Sequence, residues 1–238
     1  TDGIPHAKQY PDGSGPFPAI ISLHSSGGFN SSNIIIENFK SQNWIKAGYA
    51  WYAPNFFVKH GITNASRMDT FNKYRKNIEI DLTEIILLMK SDPKIDGKNI
   101  FAIGFSNGGF WATFLTGKGL VTAGSSHYGV WKGCFGRGSC MHSYPMDYLS
   151  SSSNPLLVLH GEKDGTQKIK FYKKAWNKIK NTPKIEQHVY KNGGHVWDCF
   201  PDITRLKKIC NKKFDGASRE ITDDAFSRTL AFFKKHTK

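Results

Sequence analysis

Short apolar runs alternate along this chain with longer stretches whose apolar residues recur every three or four positions. PAIISLH (18–24) is a near-continuous apolar run that predicts a buried strand, and the polar loop SSGGFNSS follows it. GYAWYAP (48–54) predicts a second strand, stopped at Pro54. Between 72 and 92, Ile78, Leu82, Ile85, Ile86 and Met89 fall on one helical face, and Pro93 and Gly97 mark the end of that helix. NIFAIGF (99–105) predicts a strand, and Phe110 to Leu115 an apolar helix leaving it. GLVTAGSSHYG (119–129), NPLLVLHG (154–161) and KIEQHVY (184–190) predict three more strands, with a helix at 167–181 between the last two. TDDAFSRTLAFFKKH (222–236) predicts a closing helix, with Thr222 as its N-cap and lysines near its C-terminus.

Strand and helix patterns in this alternation define an α/β class, a mostly parallel central sheet flanked by helices. No internal repeat or linker divides the chain, so residues 1–238 are expected to form a single domain. Two long irregular stretches, 130–153 and 196–220, are expected as loop insertions near the functional site. No apolar stretch approaches the roughly 20 residues needed to cross a bilayer, so no membrane span is expected.

Charge changes this picture only a little. The net charge is +14, and lysine supplies 27 of the 33 basic residues, many of them in KFYKKAWNKIK (170–180) and LKKICNKKF (206–214). Such a surface attracts anionic polymers or membranes. Scarce arginine and the lack of any RNA- or DNA-binding signature favour a solvated lysine surface, and no nucleic-acid partner is expected. The four cysteines form two local pairs, Cys134 with Cys140 and Cys199 with Cys210. Four cysteines allow three pairings. Neighbour pairing would suit an oxidising compartment, so a secreted or periplasmic location with the export signal removed is expected. A cytoplasmic chain with four free thiols is the alternative. Neither spacing resembles a structural zinc knuckle, and no metal is expected.

The chemistry centres on Gly104-Phe105-Ser106-Asn107-Gly108. This is G-x-S-x-G between an apolar strand and an apolar helix, the setting of a nucleophile elbow. Glycines clear the space around a serine held at a strained corner, and the helix start aims N–H groups at a developing oxyanion. A serine needs a base, and the base an orienting acid, in that chain order after later strands. Asp164 follows the strand ending near His160, and His195 follows the last strand behind Gly193 and Gly194. Glu162 is the fallback acid, while Asp198 lies too near His195 to orient it easily. The oxyanion donors are expected to be the backbone N–H groups of Asn107 and of Ser26 in the SSGG loop. Among the aromatics near the sheet edge, Tyr128, Trp131 and Trp197 are taken as substrate-binding.

DLTEIILLMKSDPKIDGKNIFAIGFSNGG, with HGEKD and GGH after it, resembles the dienelactone hydrolase family of α/β-hydrolases, over most of the chain from about Pro18. The resemblance implies an α/β-hydrolase sheet and a Ser106–Asp164–His195 triad. Dienelactone hydrolases proper use a cysteine nucleophile and carry an acidic residue in the first oxyanion loop. This chain has Ser106 and Ser25 at those places, which points to the serine esterases of the wider family.

The expected activity is therefore cleavage of small or aryl carboxylic esters through an acyl-enzyme, with no cofactor and a small-molecule ester as partner. A serine peptidase or amidase of the same fold is one alternative; a non-catalytic protein binding an anionic polymer is another. The sequence leaves the oligomeric state open.

Overall fold

The structure is a computed structural model that describes residues 5–29, 40–135, 139–198 and 218–238. Seven strands make one sheet: β1 (His6–Gln9), β2 (Phe17–Leu23), β3 (Ala50–Pro54), β4 (Ile95–Phe105), β5 (Ala123–His127), β8 (Leu156–Gly161) and β9 (Ile185–Tyr190). Their spatial order is β1-β3-β2-β4-β5-β8-β9, and only β1 runs antiparallel to its neighbour. Two two-residue strands, β6 (Cys134–Phe135) and β7 (Ser139–Cys140), form a separate hairpin.

Continuous apolar runs are what a sheet covered on both faces requires, because successive side chains point to opposite sides. Ala19, Ile21 and Leu23 of β2 face one core together with Ile100 and Ala102 of β4. Ile20, Phe101, Ile103 and Phe105 face the other. Helices α2 (Arg75–Ser91) and α3 (Asn107–Gly117) cover the first side through Ile78, Leu82, Ile85, Ile86, Phe110 and Phe114. Helix α1, over 40–46, and α5 (Arg219–Lys235) cover the second through Trp44, Ile221, Ala225, Phe232 and Phe233. Helix α4 (Ile169–Ile179) packs Tyr172, Ala175 and Ile179 against Leu156 and Val158 of β8. Among the described residues no helix is long and apolar enough to cross a membrane.

Two expectations need correction, and one strand went unread. The closing helix starts at Arg219, and its N-cap is Ser218, whose hydroxyl accepts from the Ile221 N–H at 3.2 Å. Thr222 instead lies inside the helix and donates to the Trp197 and Ser218 carbonyls. Strand β1 has no counterpart in the sequence reading. The 130–153 stretch is not wholly irregular, since it holds the β6–β7 hairpin and a 3-10 turn at Pro145–Tyr148. Of 196–220, residues 199–217 lie outside the described residues, as do Cys199, Cys210 and the side chain of Cys134.

Candidate active site

All parallel strands end at one edge of the sheet, and five of them release a residue of interest there: Ser26 after β2, Ser106 after β4, Tyr128 after β5, Asp164 after β8 and His195 after β9. Such a carboxyl edge is where open α/β sheets place their ligands.

Ser106 occupies a backbone conformation that few non-glycine residues adopt, φ 53° and ψ −109°. The corner is enforced by close backbone approach. A Cβ on Gly104 would come within 2.0 Å of the Gly108 carbonyl oxygen, and one on Gly108 within 1.9 Å of the Leu23 carbonyl oxygen. Neighbouring backbone holds the corner in place: the Ser106 N–H donates to the His127 carbonyl at 3.0 Å, and its carbonyl accepts from Gly109 and Val130. The strand–turn–helix read from G-x-S-x-G is therefore present, with its glycines filling the role of contact points.

Asp164 and His195 reach the same place from neighbouring loops. The Glu162 N–H donates to the Tyr190 carbonyl and the Lys163 N–H to the Gly193 carbonyl, both at 2.9 Å, so the acid loop is laced to the histidine loop. His195 Nδ1 lies 2.8 Å from Asp164 Oδ2, and Nε2 lies 2.9 Å from Ser106 Oγ. A carboxylate only accepts, so Nδ1 carries the hydrogen and the Nε2 lone pair faces the serine hydroxyl. The second Asp164 oxygen accepts from the Thr166 and Gln167 N–H groups at 2.8 and 2.6 Å. Burial alone would raise this carboxyl, but the hydrogen bond and charge of His195, with the Gln167 N–H, outweigh it and hold the carboxyl below its usual range.

The competing groups are occupied elsewhere. His24 is stacked on Phe56 with ring centroids 3.9 Å apart, and its Nδ1 donates to the Ser25 carbonyl. His160 is stacked on Tyr172 and donates from Nε2 to the Gln167 carbonyl. His127 lies 3.0 Å from Ser125 Oγ and 3.1 Å from Thr229 Oγ1. Burial pushes these three down to about 4, 4 and 3, so they are neutral bases set into the core. Glu162 is exposed. Asp198 turns away from the imidazole toward Tyr128 and Lys40.

Ser26 sits in a turn closed by the Gly28 N–H on the Ser25 carbonyl at 3.0 Å. Asn107 is the first residue of α3, where a helix leaves its N–H without an intrahelical acceptor. Its side chain faces the other way, donating to Thr70 Oγ1 at 3.1 Å. Tyr128 is buried with its ring 5.0 Å from that of His195. Trp197 is buried and meets Tyr128 edge-on at 4.6 Å; Trp131 is buried against Tyr172. Trp197 thus packs on the ring that meets the imidazole, and the Trp131 backbone N–H donates to Gln167 of the acid loop at 3.1 Å. Among the described residues no cluster of three His, Cys, Asp or Glu side chains could hold a metal ion.

Sequence reasoning missed Lys40 and Gln167, and it weighed Asp198 only as an orienting acid. No local pattern marks them, because their partners come from distant segments.

The sequence pattern of the dienelactone hydrolase family matches residues 6–237. The fold is similar to that of a putative dienelactone hydrolase from Klebsiella pneumoniae, with TM-score 0.73 and 18% identity, covering 97% of this chain and 92% of that one. It is similar to a dienelactone hydrolase-like promiscuous phosphotriesterase from metagenomic libraries, with TM-score 0.68 and 16% identity over 99% and 100% of the two chains. A carboxylesterase from Lactobacillus plantarum aligns with TM-score 0.65 and 13% identity over 82% and 81%. No curated protein matches the chain in sequence.

Proposed function

The chain belongs to the dienelactone hydrolase family, and from that premise we propose that it is a serine hydrolase cleaving carboxylic esters through an acyl-enzyme on Ser106. The observation that carries the proposal is the unbroken line Ser106 Oγ, His195 Nε2, His195 Nδ1, Asp164 Oδ2, with links of 2.9 and 2.8 Å.

In this reading His195 Nε2 takes the Ser106 proton as Oγ attacks the ester carbonyl. The tetrahedral oxyanion is met by the N–H groups of Asn107 and Ser26. Its collapse breaks the C–O bond, and the imidazolium returns the proton to the leaving alkoxide. Water, deprotonated by the same nitrogen, then releases the acid and regenerates Ser106. Asp164 holds the imidazole tautomer and offsets its charge throughout. The neighbours named as a carboxylesterase and a phosphotriesterase are consistent with an ester as substrate. Small or aryl esters fit best, with the Tyr128 ring beside the imidazole and Trp131 and Trp197 supporting the wall behind it. A Cys134–Cys140 bridge and an exported location complete the proposal. What supports the bridge is the hairpin register, which sets these two residues opposite each other.

The test is a panel of p-nitrophenyl esters, with an anilide of the same acyl group as the amide arm. Ser106→Ala should lower kcat by about 10³-fold or more and abolish fluorophosphonate labelling. Unchanged ester turnover in that variant would reject the assignment, and equal turnover of the anilide would favour an amidase.

A further inference from the structure

A buried charged chain lies behind the imidazole, and the proposed proton transfers do not consume it. The Tyr128 ring meets the His195 imidazole at a steep angle, with centroids 5.0 Å apart and planes at 64°. Its hydroxyl donates to Asp198 Oδ1 at 2.6 Å. The other Asp198 oxygen lies 2.7 Å from Lys40 Nζ. That ammonium in turn sits 3.3 Å from the centroid of Phe105, the residue before Ser106. The chain thus links the nucleophile's strand, helix α1, the loop three residues beyond His195 and the ring touching the imidazole.

Two further observations give the arrangement a purpose. Asp198 is only 5% exposed, and a lone carboxylate there would carry a large desolvation penalty, so Lys40 and Tyr128 are required partners. The backbone on either side of the imidazole is strained: Tyr128 has φ 38° and Val196, a β-branched residue next to His195, has φ 57°. Such conformations persist only where the surroundings over-determine them. Asp198 supplies that constraint to both, since it anchors the 195–198 turn at one end and the Tyr128 side chain at the other.

We infer that Asp198, clamped between Lys40 and Tyr128, is a positioning residue that holds the His195 imidazole against Ser106. This inference rests on the serine hydrolase reading above. Displacing a catalytic group by about 1 Å can cost about 100-fold in rate.

The experiment compares Asp198→Asn, Lys40→Met, Lys40→Arg, Tyr128→Phe and Ser106→Ala on p-nitrophenyl acetate. Asp198→Asn and Lys40→Met should lower kcat about 10- to 100-fold with KM changed less than about twofold. Lys40→Arg, which keeps the charge, should recover most of that loss. Tyr128→Phe keeps the ring and loses only the hydroxyl, so it decides the matter if Asp198→Asn does not fold. A kcat reduced about fivefold or more at constant KM supports the clamp, and an unchanged kcat overturns it. Inactive Ser106→Ala beside fully active Asp198→Asn and Lys40→Met overturns the positioning role alone. Active Ser106→Ala overturns the hydrolase assignment and this role with it.

Discussion

Gly161 and Gly193 meet backbone to backbone where the acid loop leaves β8 and the histidine loop leaves β9. A Cβ on Gly161 would stand 2.3 Å from the Gly193 carbonyl oxygen and 2.8 Å from that of Gly194. The same Gly193 carbonyl accepts from the Lys163 N–H, one residue before Asp164. The gap between the two loops is thus set by the absence of two side chains, and that gap fixes the Asp164–His195 distance.

Gly161→Ala should therefore act on chemistry before it acts on folding. The neighbouring atoms are backbone, so they cannot turn aside as a side chain could; one loop must move. Overpacking of this kind costs about 1–3 kcal/mol, and a displaced imidazole should lower kcat by about 10-fold or more. Ester kinetics beside a urea melt checks both numbers. A variant with wild-type kcat would show that the loops are not held by this contact.

The central strands were legible because they are buried on both faces and read as apolar runs. Strand β1 was not. His6, Ala7, Lys8 and Gln9 are half-buried or exposed at the sheet edge, and their antiparallel pairing with β3 leaves no apolar signature. Ser106, Asp164 and His195 could be named because a tight elbow and glycine-freed loops leave local marks, and the structure brings the three together. Lys40 and Asp198 carry no such mark, being 158 residues apart in sequence and joined only by the fold. Proximity to His195 made Asp198 a poor orienting acid, and the same proximity lets it anchor the turn.

Stability should fall with acid well before the carboxylates titrate. His24, His127 and His160 are neutral in the fold, pushed down from 6.5 to about 4, 3 and 4 by burial. In the unfolded chain they take up protons once the pH drops below that ordinary value. The unfolded state then binds more protons, so stability is complete above it and declines by up to about 1.4 kcal/mol per pH unit for each histidine down to its folded value. His188 and His236 are shifted in the same direction. Asp164 and Asp198, held below 3.8, add to the loss only at lower pH. Urea unfolding between about pH 7.5 and about pH 4.5 should show the decline, and His127→Gln should make it shallower. A flat profile over this window would contradict the buried neutral assignment.

Gln167 joins the acid loop to the start of the 130–153 segment. Its N–H donates to Asp164, its carbonyl accepts from His160, and its side-chain oxygen accepts from the Trp131 and Lys132 N–H groups at 3.1 and 3.4 Å. Gln167→Ala keeps the first two bonds and strands the last two donors. The expected cost is about 1–3 kcal/mol, with faster amide exchange at Trp131 and Lys132. Because the Asp164 contact survives, kcat should change far less than exchange does. Unaltered exchange at both amides would mean that other groups hold this segment.

Ser218 and Thr222 separate two readings of where the last helix begins. If Thr222 were the N-cap, Ser218→Ala would be nearly neutral. The structure gives the cap to Ser218, and its loss should cost about 1 kcal/mol, within a range of about 0.5–2. Thr222→Val removes a different bond, the one its hydroxyl donates to the Trp197 carbonyl at 3.0 Å, two residues after His195. That carbonyl keeps the Ser218 N–H as a donor at 3.0 Å, so Thr222→Val should cost less than a bond left wholly unmade. Urea melts of both variants give the ranking, with Ser218→Ala expected to be the more damaging. The reverse order would move the start of α5 back to Thr222 and leave the carbonyl at 197 dependent on that hydroxyl.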